Sequence, residues 1–256
     1  MKERSVRSQN GIEISRSSQE KRITLSGEGV EIRREGKPIS LENRLIKADI
    51  VFIIDTTGSM SDEIEGLMQT CQKFAKSVVK KNIDHRMGII AFGDLTISPP
   101  DKMFRFPLIR DADRISRAFA EILTNHRTSG GGNLGESSID ALWRALEGFE
   151  FRQEATRVFL LFSDEPPLEP DTKQRSMNYT IQEFKRHKIV CFSITIPDDR
   201  FKRLAKETGG SWFAISRDIN FLSILDQLFA RVIKKVVEIA LKLPQDSAKP
   251  AIENGR

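Results

Sequence analysis

Histidine and cysteine are few in this chain and nowhere clustered, so nothing in it favours a zinc centre. The three histidines, His85, His126 and His187, lie far apart and read as structural or solvated. The two cysteines, Cys71 and Cys191, fall on the apolar face of a helical pattern and inside an apolar strand pattern, the usual setting of buried thiols rather than of a disulfide or metal pair. No apolar run approaches the roughly 20 residues of a membrane span. The charged N-terminus MKERSVRSQN is not followed by an apolar segment, so it does not read as a secretory signal. The phosphate-binding pattern G-x-x-x-x-G-K-S/T is missing, and so is any internal repeat. The net charge is +5, but Lys and Arg are interspersed with Asp and Glu, without a basic stripe and interleaved aromatics. That argues against nucleic acid as a partner. These absences lead us to expect a cytoplasmic protein with neither nucleic acid nor membrane as partner.

What is present is an alternation of buried strands and amphipathic helices. Residues Ala48 to Ser61 read ADIVFIIDTTGSMS. Ile50 to Ile54 have the character of a strand buried on both faces. Ile64, Leu67, Met68, Cys71, Phe74, Ala75, Val78 and Val79 then keep helical spacing, which predicts a helix over Asp62 to Lys81. Further strands are expected at His85–Phe92, Met103–Leu108, Arg157–Ser163, Ile189–Ile196 and Ser211–Ile215. Pro99, Pro100 and Pro107 make Met103–Leu108 an edge strand. Further helices are expected near Ala112–Leu123, across Ile139, Leu142, Trp143, Leu146 and Phe149, at Lys173–His187, at Arg200–Thr208 and at Ile219–Lys242. In the last, Leu222, Leu225, Leu228, Phe229, Val232 and Val236 form an apolar stripe for the core. The pattern predicts an α/β fold with a doubly wound, mostly parallel sheet. It occupies residues 48–242, after a polar extension over 1–47 and before a polar tail over 243–256. In the extension, Ile23, Leu25, Val30 and Ile32 alternate about Ser26-Gly27-Glu28-Gly29, consistent with a small β-hairpin.

Two of the strands end in an acid: Asp55 after VFII and Asp164 after FLLFS. Thr57 and Ser59 follow Asp55 at alternate positions. A third loop, SGGGNLGES, offers Asn133 and further hydroxyls on a flexible glycine backbone. In a parallel sheet these loops share the carboxyl edge, where ligands bind. Two carboxylates brought together there repel and are costly to desolvate. A hard divalent cation such as Mg²⁺ offsets both costs and suits oxygen ligands.

DTTGSM after an apolar strand resembles the metal-ion-dependent adhesion site of von Willebrand factor A (vWA) domains, whose motif is Asp-x-Ser-x-Ser with a Thr and an Asp from two further loops. Asp55 and Ser59 match that motif, Thr57 replaces a Ser and keeps its hydroxyl, and Asp164 in SDEPP takes the third-loop position. Asn133 stands, by spacing, where the family has Thr, with Thr128 as the fallback. The resemblance spans about Ala48 to Lys242. It implies a vWA/Rossmann-like, six-stranded sheet with helices on both faces and Met103–Leu108 as its one antiparallel edge strand. It also implies a Mg²⁺ or Mn²⁺ ion held by Asp55, Thr57, Ser59, Asn133 and Asp164, with one coordination position left open for an acidic group of a protein partner.

The expected function is therefore a metal-dependent protein-interaction module rather than an enzyme. The alternatives are a metal-dependent hydrolase of phosphate esters, or an accessory subunit docking on an ATPase or chelatase. Simpler roles compete at single positions. Ser59 or Ser61 is expected to cap the first helix. Glu136 is either a helix N-terminal charge or a residue beside the ligand. Asp94 reads as a strand-end turn residue.

Overall fold

The computed structural model describes residues 46–125, 135–215 and 221–242 in full, and before them the backbone of three short strands. The chain divides into two units, Met1–Arg44 and Leu45–Arg256. In the first, β1 (Arg22–Ser26), β2 (Gly29–Arg34) and β3 (Lys37–Pro38) form a three-stranded antiparallel sheet in that order. Ile23 pairs with Ile32 and Leu25 with Val30. The alternation in the sequence thus becomes a ladder, to which β3 adds an unforeseen third strand.

The second unit runs β4 (Ile46–Asp55), a 3-10 turn (Gly58–Met60), α1 (Ser61–Lys80), β5 (Ile83–Phe92), β6 (Phe104–Ile109) and α2 (Ala112–Asn125). It continues with α3 (Ser138–Gly148), β7 (Thr156–Ser163), α4 (Met177–Arg186), β8 (Ile189–Thr195), α5 (Asp199–Glu207), β9 (Trp212–Ala214) and α6 (Phe221–Lys242). The sheet order is β6-β5-β4-β7-β8-β9. All neighbours are parallel except the β5–β6 pair at one edge. Helices cover both faces: α1, α2 and α6 contact one another or the central strands on one side, and α3, α4 and α5 on the other. This is the doubly wound α/β architecture expected.

β4 is buried on both faces from Ala48 onward, which explains its unbroken apolar run. Toward one face Phe52 stacks on Phe162 and meets the ring of Phe119 from α2 edge-on. Toward the other, Val51 and Ile53 join Ile90, Phe159, Leu161, Trp143 and Phe184 in one cluster. Each such aliphatic or phenyl side chain contributes about 1.5–3 kcal/mol on burial, so the sheet position of β4 is set by its own sequence.

Several boundaries differ from expectation. α4 starts at Met177 rather than Lys173. The Asp171 carboxylate accepts the Lys173 and Arg175 amides, holding these residues in a turn, and Ser176 then caps the helix by accepting from Tyr179. The edge strand lies one residue later, at Phe104–Ile109. Val79 and Leu222, assigned to core-facing stripes, are exposed, while the other members of the α6 stripe are buried. Cys71 and Cys191 are free and buried, and burial pushes the Cys191 thiol up to about 12. Among the described residues no helix is long and apolar enough to cross a membrane.

Candidate functional site

β4 has β5 on one side and β7 on the other, so the strand order reverses at its carboxyl end, and Asp55 is its last residue. With Ile54 paired to Phe162, Asp55 and Ser163 come side by side, and Asp164 follows at once. The loop after β4 is tied down by Thr56, whose amide and hydroxyl both donate to the Phe92 carbonyl at 2.8 Å.

Asp55 is fully buried. The Thr57 amide donates to its Oδ1 at 3.0 Å and the Ser163 hydroxyl to its Oδ2 at 3.0 Å. Both donors are neutral. Burial pushes the carboxyl up to about 7; the Thr57 amide opposes that shift and the charge of Asp164 adds to it. The Thr57 and Ser59 hydroxyls lie 3.2 Å apart, Thr57 buried and Ser59 exposed. Capping by Ser59 or Ser61 is not what the structure shows. The residue before α1 is Met60, without a side-chain cap, and the Ser61 hydroxyl donates back to the Gly58 carbonyl. Asp164 Oδ1 is buried and has no hydrogen-bond partner among the described residues. Asn133 and its fallback Thr128 lie outside the described residues, as does His126.

Glu136, undecided from sequence, is 3% exposed. Among the described residues its Oε2 has no partner, and the same holds for the buried hydroxyl of Ser138. Burial pushes the Glu136 carboxyl up to about 8, reinforced by the charges of Asp55, Asp94, Asp101 and Glu165. Asp94 is the turn residue expected: its Oδ1 accepts from the Thr96 amide and hydroxyl at 2.7 and 2.6 Å. The sequence reading also missed Ser163 as the hydroxyl that orients Asp55. Its only signal was the Ser-Asp pair ending a buried strand.

The described part of this site is thus an all-oxygen set: carboxylates of Asp55 and Asp164, paired hydroxyls of Thr57 and Ser59, and unpartnered buried oxygens. Among the described residues no group of three or more His, Cys, Asp or Glu is arranged as a metal cluster. The fit to a cation rests instead on the mixture of hydroxyl and carboxylate, which suits Mg²⁺ or Mn²⁺.

The von Willebrand factor type A domain family model matches residues 49–227. An alpha-protein kinase, vwkA, from Dictyostelium discoideum is 26% identical over 151 residues, which cover 56% of this chain. The match covers 23% of that kinase. Among solved structures, an aerotolerance-related membrane protein from Bacteroides fragilis superposes with a TM-score of 0.53 at 15% identity. The superposition covers 73% of this chain and 99% of that one, a likeness of fold alone.

Proposed function

From a chain that belongs to the von Willebrand factor type A domain family, we propose a module that binds a protein partner through a divalent cation and breaks no bond. Asp55, Thr57, Ser59, Asn133 and Asp164 would hold Mg²⁺ or Mn²⁺ at the carboxyl edge of the sheet. The bound ion supplies a Lewis-acidic position that a partner's carboxylate oxygen can fill. The chain's own residues do the rest. Ser163 and the Thr57 amide fix the Asp55 carboxylate, the adjoining hydroxyls supply neutral oxygens, and the exposure of Ser59 leaves that side open to a partner.

The observation that carries this reading is the uncompensated acid at the site. Asp55 is buried with only neutral donors, and Asp164 beside it has an oxygen with no partner among the described residues. Such groups are costly to bury charged, and a cation at the site would offset that cost. Calorimetric titration with Mg²⁺ and with Mn²⁺ tests the proposal, followed by capture of partners with and without EDTA. Saturable binding of one ion per chain and chelator-sensitive capture are expected. Absence of binding by either ion at millimolar concentration would end it.

A further inference from the structure

The outer face of α1 carries its charges in two blocks. Asp62, Glu65, Gln69, Lys76 and Lys80 are exposed and, by helical spacing, share one stripe. Acid stands toward the carboxyl edge of the sheet and base toward the amino edge. Complementing the helix dipole accounts for Asp62 and Lys80, in the first and last turns, but Glu65 and Lys76 lie further in. Among the described residues the four charged members of the stripe form no ion pair, whereas Lys73 between them is taken up by Asp226 of α6 at 3.2 Å. Glu65 and Lys80 stand about 22 Å apart along the helix. Charges act over roughly 10 Å in 0.1 M salt, so the two blocks do not neutralise each other.

α6 runs beside α1 in the same direction. A Cβ on Gly66 would stand 3.0 Å from the Phe221 ring and 3.6 Å from the Leu222 side chain, and further along Lys73 meets Asp226. Where the two helices begin they leave a cleft of about 280 Å³, lined by Asp62, Glu65, Gly66, Gln69, Phe221 and Leu222. Its rim is acidic and its wall apolar, and Leu222 is 43% exposed there. That suits a lysine, whose aliphatic stem packs on carbon while its ammonium reaches a carboxylate. At the other end of α1 stand exposed Lys76 and Lys80, with Val79 57% exposed beside them, and Lys234 of α6 comes level with Lys80. One face thus offers a socket at one end and the group that fits it at the other.

We propose that this face docks a second copy of the chain, turned end over end about a two-fold axis that crosses α1 level with Gln72 and Lys73. Glu65 and Lys80 stand equally far from that level along the helix, and so do Gln69 and Lys76. Lys80 of each copy therefore enters the acid-rimmed cleft of the other, and the contact is made twice, as an isologous interface requires. The occupant is the chain itself, because the surface that complements acid and base in this order and at this spacing is the same stripe reversed. Docking with the helices parallel sets acid on acid and base on base, which repulsion opposes. The interface uses no residue of the proposed cation site, and the inference does not rest on that reading.

Sedimentation equilibrium of the full chain in EDTA and about 0.1 M salt tests this. Wild type should show a concentration-dependent dimer, weakened at least tenfold in about 1 M NaCl, where charges act over only about 3 Å. Glu65→Lys sets lysine against lysine and Lys80→Glu sets acid against acid. Each variant alone should be monomeric at concentrations where wild type dimerises. An equimolar mixture of the two should form a heterodimer, since both contacts between them then pair opposite charges. If Lys80→Glu does not fold, Lys76→Glu takes its place with the same expectation, alone and in the mixture. A wild type that stays monomeric at millimolar concentration overturns the inference and leaves this face to another molecule. So does a dimer whose affinity changes less than twofold in both single variants, or a mixture that stays monomeric.

Discussion

Asp49 and Asp55 sit on the same strand, six residues apart, and both side chains are fully buried. Their surroundings are opposite. At the amino end of the sheet, Asp49 takes bonds from Arg86 at 3.0 and 2.7 Å, and from the Arg152 amide and guanidinium at 2.8 and 2.9 Å. Burial would raise its pKa, but the Arg86 and Arg152 bonds overcome that and hold the carboxyl below its usual range. Arg110 and Arg152 do the same for Asp84 next door. At the carboxyl end, Asp55 has two neutral donors and an acidic neighbour, and burial wins. Along β4, therefore, arginines neutralise the buried acid at one end and no arginine does so at the other. That contrast in pairing, which burial alone does not reveal, is what the proposed cation site rests on.

The largest effect should come from breaking the neutralised end. Arg152 also bonds Asp84 Oδ2 at 2.6 Å and the carbonyls of Ala48 and Asp84 at 2.9 and 3.0 Å. Arg152→Ala leaves buried acid and backbone oxygens short of donors, and should cost about 3–5 kcal/mol in urea denaturation. Cation affinity at the far end should be unchanged in whatever fraction stays folded. Loss of less than about 1 kcal/mol would mean that Arg86 alone satisfies Asp49.

The two ends should also respond to pH with opposite sign. An acid whose pKa is raised on folding, here Asp55 from 3.8 to about 7, binds its proton more tightly in the native state. The stability linked to that proton is present below pH 4 and is lost as pH rises toward 7. Three units amount to about 4 kcal/mol. Glu136, raised from 4.5 to about 8, extends the window upward. Asp49 and Asp84, with lowered pKa values, contribute stability above pH 3.8 that is lost as pH falls below it. Metal-free protein should accordingly be most stable near pH 4–5 and weaken toward pH 8. Saturating Mn²⁺ should remove that decline. A metal-free stability profile that is flat from pH 5 to 8 would show that the carboxyl edge is hydrated rather than uncompensated.

How much of this contrast the sequence displayed depends on the range of the interactions involved. VFII and FLLF announce strands buried on both faces because the pattern is local and continuous, and the acids that end them follow directly. The start of α4 was misplaced because the turn made by Asp171 competes with the helix through bonds that helical periodicity does not register. Val79 and Leu222 keep helical spacing, yet their exposure depends on which neighbours pack against the helix ends. Glu136 was undecidable for a stronger reason. Its burial arises from the bridge to Pro167 and the Ser137–Leu95 bond, between segments about 30 and 40 residues apart, and no local pattern encodes them. Likewise, the ion pairs of Asp49 join residues 37 and 103 positions away.

A smaller effect isolates Asp55 itself. Asp55→Asn keeps an oxygen for the Thr57 amide and an amide group for Ser163, but removes the charge. In chelator at pH 8 the variant should be more stable than wild type by about 2 kcal/mol, part of the burial penalty described above. It should also lose Mn²⁺ binding. At Asp49 the matching change, Asp49→Asn, should destabilise at any pH above 4, because Arg86 and Arg152 lose their counter-charge. Opposite signs for one substitution at two ends of one strand would be direct evidence for the contrast. The same sign at both would dissolve it.

The smallest expected effect lies at Asn133, where the chain departs from the motif it otherwise resembles. An amide oxygen is neutral and can ligate a hard cation, as the hydroxyl of threonine can. Asn133→Thr should therefore hold Mn²⁺ within about threefold of wild type. Asn133→Leu removes the oxygen and leaves the carboxylates, so binding should weaken by about tenfold, or roughly 1.4 kcal/mol. Neither change touches the arginine end, and the unfolding free energy from urea denaturation in chelator should stay within about 0.5 kcal/mol of wild type for both. Equal affinity in all three proteins would place Asn133 away from the cation. Asp55 and Asp164 would then have to hold the ion with Thr57, Ser59 and water alone.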